Sequence, residues 1–281
     1  MGKTIAVPEK LKEWIIHTFN RGISPVAILQ GMVDKGYEAK SAYSTIAAVI
    51  GPDKLKEVDL NQLTYEYEDV GISTTNNKIQ TSDRDVNILL KMEKPYILYL
   101  DNVLSSEECD QLIQLSKERL KPSTVIDQRT GEIKLATGRT SKGTYFSFDE
   151  NELISKLEKR ISEITNTPVE NGEGLQVLKY EVGEEYKLHF DFFPTNKVDN
   201  SKGGQRIGTF LLYLNDVEAG GETVFSKVGL SIVPKKGAAV FFHYGNSKDQ
   251  VDRKSLHASI PVSNGEKWVA TKWIRKGKIY E

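Results

Sequence analysis

His189 and Asp191 stand two residues apart at the end of Tyr180-Glu-Val-Gly-Glu-Glu-Tyr-Lys-Leu-His-Phe-Asp, and they carry the plainest chemistry in the chain. On an extended segment both project from one face, so an imidazole and a carboxylate converge on a point. A metal held there needs a third ligand. The candidates are few: the histidines are His17, His189, His243 and His257, and the one cysteine is Cys109. Two histidines and a carboxylate with open positions form the donor set of oxygen-activating ferrous centres, and the same set also suits a hydrolytic zinc. A simple hydrogen bond on a surface strand uses the same spacing, so the pair alone does not choose between these uses. His243, in FFHYGN, and His257, in SLHASIPV, compete for the third position. His257 stands ten residues before Lys267, close enough for a long cation on the next strand to enter the same site.

These residues need a rigid scaffold, and the pattern after residue 173 predicts one. Apolar and polar residues alternate over Leu175 to Tyr180, Tyr186 to Phe192, Ile207 to Leu214, Thr223 to Ser226, Leu230 to Val233, Ala238 to Phe242, Leu256 to Val262 and Trp268 to Arg275. Glycine, asparagine, aspartate and proline separate most of these runs, so they read as eight short strands joined by turns. That spacing predicts a double-sheet jelly roll, mainly β with flanking α. Ahead of it lie strands near Val86 and Pro95. A helix over about 106–120 is announced by the capping box Ser105 to Glu108, and a second covers about 149–165 with Leu153, Ile154, Leu157, Ile161 and Ile164 on one stripe.

Residues 8 to 50 predict three short helices, opened by Pro8, by Ser24-Pro25 and near Lys40, and ended by Gly22, Gly36 and Gly51-Pro52. The expected organisation is therefore a three-helix module over 1–52, a linker over 53–85 and a catalytic domain over 86–281. GISTTNNKIQTSDRD, with no apolar repeat, reads as a linker or mobile loop. The module suits a peptide or protein partner better than DNA, because its basic residues form no run.

With 38 basic and 39 acidic residues the net charge is −1, which supplies no general pull toward nucleic acid or membrane. One cysteine makes no internal disulfide, and MGKTIAVPEKLKEW lacks a secretory apolar core, so a cytoplasmic setting is expected. No apolar run approaches the roughly 20 residues that span a bilayer.

Three stretches in one colinear order, LQVLKYEVGEEYKLHFD, TFLLYLNDVEAGGETVF and SLHASIPVSNGEKWVATKW, closely resemble the prolyl 4-hydroxylase family of Fe(II)- and 2-oxoglutarate-dependent dioxygenases. The resemblance covers about residues 86–281. It implies that His189, Asp191 and His257 hold Fe(II), and that Lys267 pairs with the distal carboxylate of 2-oxoglutarate. Tyr180 and Tyr213 match aromatic residues that help hold the cosubstrate, and Thr209 shares the predicted strand face of Tyr213. Arg139, Ser141, Glu173, Tyr186, Arg206 and Trp273 match positions resembling the peptide-contacting groove. The implied reaction converts peptidyl proline to 4-hydroxyproline with dioxygen, releasing succinate and carbon dioxide, with ascorbate as a candidate reductant. Alternatives are hydroxylation of a free amino acid or another side chain, and a non-catalytic, metal-binding cupin-like interaction protein. The partner implied is a proline-containing peptide; a homodimer is compatible and undetermined. Ser259 departs from the family, which often has glycine there, and His243 falls where the family more often has another polar or aromatic residue. The first 85 residues lie outside the resemblance.

Overall fold

The computed structural model describes residues 7–56, 58, 60, 65–122, 124–126, 133–135, 138–194 and 197–280. Two compact units divide the chain, residues Met1–Glu66 and Tyr67–Glu281.

The first unit holds α1 (Glu9–Asn20), α2 (Pro25–Asp34) and α3 (Ala39–Ile50), followed by a 3-10 turn, Pro52–Leu55. The Ser24 hydroxyl caps α2 by accepting from the Ala27 N–H at 3.2 Å, and Pro25 pre-sets its first turn. Glu38 caps α3 by accepting from the N–H groups of Lys40 and Ser41. Ile15, Ile28, Leu29, Met32, Ala42, Ile46 and Leu55 form the interior. Trp14 lies off this face, 36% exposed, with Lys35 Nζ 5.2 Å from its ring centre.

The second unit runs β1 (Lys78–Gln80), β2 (Asp85–Glu93), β3 (Tyr96–Asp101), α4 (Ser106–Lys117), β4 (Lys121–Pro122), β5 (Thr124–Ile126), β6 (Ile133–Leu135), β7 (Lys142–Phe146) and α5 (Glu152–Thr165). It continues with β8 (Leu175–Tyr180), β9 (Tyr186–His189), β10 (Arg206–Tyr213), β11 (Ala219–Gly220), β12 (Thr223–Phe225), β13 (Leu230–Ile232), β14 (Ala239–His243), β15 (His257–Ser259), β16 (Val262–Asn264) and β17 (Lys267–Arg275). The large sheet has the order β1-β2-β3-β14-β10-β17-β8-β7-β4, and a four-stranded sheet has the order β13-β12-β15-β9. Within them, β14-β10-β17-β8 and β13-β12-β15-β9 are the eight expected strands in jelly-roll interleaving.

Period-two alternation sorts the large sheet's side chains into two layers. In β14, Ala239 and Phe241 join the core shared with α4 and α5, whereas Val240 and Phe242 join the core between the sheets with Phe225, Ile232 and Val262. Each buried aromatic or aliphatic side chain in these layers contributes roughly 1.5–3 kcal/mol. Glu108 closes the capping box of α4 and also accepts from Arg160 of α5, which is 1% exposed and pairs with Asp83 as well. A second buried pair, Lys272 with Glu158, ties β17 to α5.

Three expectations are corrected. The stretch 67–85 is not a linker: β1 pairs with β2 from Lys78↔Asn87 to Gln80↔Asp85, Asp83 binds Arg160, and Val70, Ile72 and Ile79 pack on the core, so the segment is fastened by ladder bonds, charge and scattered apolar contacts rather than by an apolar repeat. The strand expected over Tyr186 to Phe192 ends at His189, because Phe193 turns away to bond Gln205, its N–H reaching Oε1 at 2.7 Å. The strand expected over Leu256 to Val262 breaks into β15 and β16 around Pro261, which has no N–H for the ladder. Among the described residues, no helix is long and apolar enough to cross a membrane.

Candidate active site

β9 and β15 are neighbours in the small sheet, with His189 directly opposite His257. Both imidazoles therefore leave the sheet on one side, their ring centres 4.2 Å apart. Asp191 reaches the same point from the bend beyond β9. Its Oδ1 lies 3.5 Å from His189 Nε2 and its Oδ2 3.6 Å from His257 Nε2. One ligand atom from each of the three lies within 4.8 Å of the others.

The surroundings prepare these atoms for a metal. His189 Nδ1 faces the Lys187 carbonyl at 2.7 Å, and His257 Nδ1 faces the Ser255 carbonyl at 3.0 Å. A carbonyl only accepts, so the proton sits on Nδ1 and the Nε2 lone pair points toward Asp191. Burial pushes His257 down to about 4 against the pull of Asp191, which keeps the ring neutral. Burial opposes charge on Asp191 too, but His257, His189 and Arg206 outweigh it and hold the carboxyl well below the usual range. Thr209 Oγ1 donates to Asp191 Oδ2 at 2.7 Å, and Arg206 Nη1 donates to the Asp191 carbonyl at 3.2 Å. Two imidazoles whose Nε2 atoms face one carboxylate fit a ferrous ion. His243 does not join them: one residue beyond Phe242 in β14, it points to the opposite face of the sheet, where burial pushes it down to about 4.

The triad opens on a small cavity. Lys267 lines it at 1% exposure, and its Nζ donates to the Gly221 carbonyl at 2.6 Å and to Ser259 Oγ at 2.7 Å. Burial pushes this lysine down to about 7, with only the charge of Glu222 working the other way. The rings of Tyr180 and Tyr213 lie 5.5 and 5.8 Å from Nζ. A cation surrounded by neutral oxygens and ring faces is well placed to take a ligand's carboxylate. The Tyr213 hydroxyl donates to Thr223 Oγ1 at 2.8 Å, and Thr223 faces the cavity.

The residues expected around a peptide divide in two. Arg139, Tyr186 and Trp273 line the cavity. Tyr186 stacks on His189 with ring centres 3.5 Å apart, and the Arg139 guanidinium lies 5.3 Å from the Tyr186 ring. Ser141, Glu173 and Arg206 stand behind that wall. Ser141 is fully buried and hydrogen-bonds Tyr180. Glu173 accepts from Arg206 at 2.6 and 2.7 Å and from Arg275, while Arg206 also stacks 4.0 Å from the Trp273 ring. Sequence reasoning missed Thr223, Gln176, Tyr244 and Arg275. Thr223 was legible as the residue alternating with Phe225, but the Tyr244 hydroxyl, 3.0 Å from Thr209 Oγ1, comes from a loop with no periodic signal.

The 2OG-Fe(II) oxygenase superfamily matches residues 175–275. Prolyl 4-hydroxylase 5 of Arabidopsis thaliana is 43% identical over 200 residues, covering 64% of this chain and 68% of the relative. The prolyl 4-hydroxylase subunit alpha-1 of Gallus gallus is 40% identical over 187 residues, but these span only 36% of that longer protein. Among solved structures, the viral collagen prolyl hydroxylase of Paramecium bursaria Chlorella virus-1, in its 2OG complex, matches with a TM-score of 0.53 and 33% identity over 64% of this chain and 96% of that one. On this similarity the chain belongs to the prolyl 4-hydroxylase family of Fe(II)- and 2-oxoglutarate-dependent dioxygenases.

Proposed function

We propose that this enzyme hydroxylates proline within a peptide or protein to 4-hydroxyproline. The observation that carries the reading is the joining, in one cavity, of the His189–Asp191–His257 triad and a buried lysine without a hydrogen-bonded carboxylate among the described residues. His189 Nε2, His257 Nε2 and the Asp191 carboxylate would hold Fe(II), and Lys267 would bind the distal carboxylate of 2-oxoglutarate. When bound, the iron and keto acid supply the oxidation: dioxygen is consumed, 2-oxoglutarate becomes succinate and carbon dioxide, and one oxygen atom enters a proline C–H bond.

The chain's own residues do the rest. Thr209 and Arg206 hold Asp191 in place, and the Lys187 and Ser255 carbonyls fix both imidazole tautomers. Tyr186 and Trp273 supply aromatic walls for an apolar, rigid proline ring. Arg139 at the mouth supplies donors for the peptide backbone. Ascorbate is the proposed reductant, and the cytoplasm is the proposed compartment, in keeping with a lone, buried Cys109 pushed up to about 11 by burial. A panel of proline peptides assayed beside free proline, with oxygen incorporation read by mass, tests the reading. Peptides gain one oxygen and free proline does not; oxygen incorporated only into the free amino acid overturns it.

A further inference from the structure

A second concavity adjoins the active-site cavity and shares Arg139 and Gln176 with it. The register explains the continuity. Thr271 of β17 lies opposite Gln176 of β8, and Gln176 lies opposite Tyr145 of β7, so these three side chains share one face of the large sheet. The groove thus leads from the triad across β8 and β7 to the edge strand β4.

Its charge has one sign. Arg119, Lys121 and Arg139 line it, and no aspartate or glutamate does so among the described residues. Arg119 is already satisfied: Nη1 donates to Glu150 Oε1 at 2.6 Å and Nη2 to the Tyr145 carbonyl at 2.7 Å. Arg139 and Lys121 are different. Arg139 donates to the neutral Gln176 Oε1 at 3.4 Å and lies over the Tyr186 ring, and among the described residues neither cation has a carboxylate partner. Tyr145, 55% exposed, adds an open aromatic wall. A planar guanidinium and an ammonium beside an open groove match a carboxylate better than any neutral side chain.

We propose that this groove docks an acidic side chain of the substrate on one side of the target proline, so that the enzyme favours prolines flanked by aspartate or glutamate. The proposal rests on the peptidyl-proline reading above. It assigns Lys121, outside the residues that resemble the family's groove, as a specificity determinant.

The test uses the full chain loaded with Fe(II) and 2-oxoglutarate without oxygen, so that peptides bind but do not react. Peptides with one proline, acetylated and amidated at their ends, carry a single Glu or Gln at successive positions before and after it. Fluorescence anisotropy gives each Kd, and air is then admitted to score hydroxylation by mass. On one side of the proline, the Glu peptide binds about three- to tenfold tighter than its Gln twin, and the advantage shrinks with added salt. K121E inverts that ratio, and its binding of the Gln peptide shows that the fold persists. Equal Kd values for Glu and Gln at every position, or a preference untouched by K121E, overturn the proposal. Hydroxylation of all peptides without a Glu preference sinks the docking site alone; a Glu preference without proline oxidation sinks the hydroxylase reading instead.

Discussion

Lys267 and Lys272 lie five residues apart on β17, an odd separation that sends them to opposite faces of the sheet, and both are almost fully buried, at 1% and 2% exposure. Lys272 points toward α5 and meets Glu158, which is buried as deeply. Lys267 points into the cavity and meets only a carbonyl, a hydroxyl and two ring faces. A buried cation closed by a protein carboxylate is part of the architecture. One given neutral partners beside an open cavity is held ready for a ligand's charge.

The comparison breaks most sharply by mutation. Lys267→Ala should lower kcat/KM for 2-oxoglutarate by at least about 100-fold, in line with a loss of 3 kcal/mol or more for a buried charged pair. Its thermal midpoint should stay level or rise, since an uncompensated buried cation is removed; steady-state kinetics and calorimetry check both. Lys272→Met should behave in the opposite way. It strands the Glu158 carboxylate and costs about 3–5 kcal/mol of stability by denaturant unfolding, while the double variant Lys272→Met/Glu158→Gln recovers most of it.

Proton linkage sharpens the same contrast. Lys267, pushed down to about 7, loses its proton as pH rises above that value, whereas a bound carboxylate favours the charged form. The apparent KM for 2-oxoglutarate should therefore climb above pH 7, approaching about tenfold per pH unit. Stability of the protein without the keto acid should rise between pH 7 and the ordinary lysine range, because there the unfolded chain binds the extra proton.

Carboxylates paired with Arg160 show the architectural pattern. The Arg160 hydrogen bond holds Asp83 down at about 2. For Glu108 burial acts in the raising direction, but Arg160, the Ser105 N–H and Lys156 outweigh it and also bring it to about 2. Both folded values lie below the unfolded ones, so this contribution is complete above about pH 4.5 and is lost as pH falls through about 2. Acid unfolding should show that loss, and Arg160→Met should remove it. The smallest effect belongs to Ser259→Gly, which deletes one acceptor from Lys267. It should raise KM for 2-oxoglutarate by no more than about fivefold and leave kcat unchanged.

Much of this was legible in the chain. The eight strands of the jelly roll appear as alternation broken by turn residues, although the alternation ran through Pro261 and hid the break between β15 and β16. The triad was legible through the family resemblance, since strand pattern alone left His243, which ends β14, and His257 as rival third ligands. The route of Asp191 to the same point was not, since it depends on the bend held by Gln205 and Arg206. Residues 67–85 misled because Val70, Ile72 and Ile79, which pack on the core, are too far apart to make a period, and the rest of the attachment is a short ladder and ion pairs. The Glu173–Arg206–Arg275 cluster was hidden for the same reason, since its members come from three separate stretches of sequence and meet only through charge.

The most direct test measures succinate and oxidised proline in one reaction of the full chain with Fe(II), 2-oxoglutarate, dioxygen and a proline peptide. Wild type should release succinate in step with single-oxygen incorporation at proline, and His189→Ala should do neither. Unconsumed 2-oxoglutarate with the wild-type protein, or succinate release that His189→Ala retains, would contradict the account.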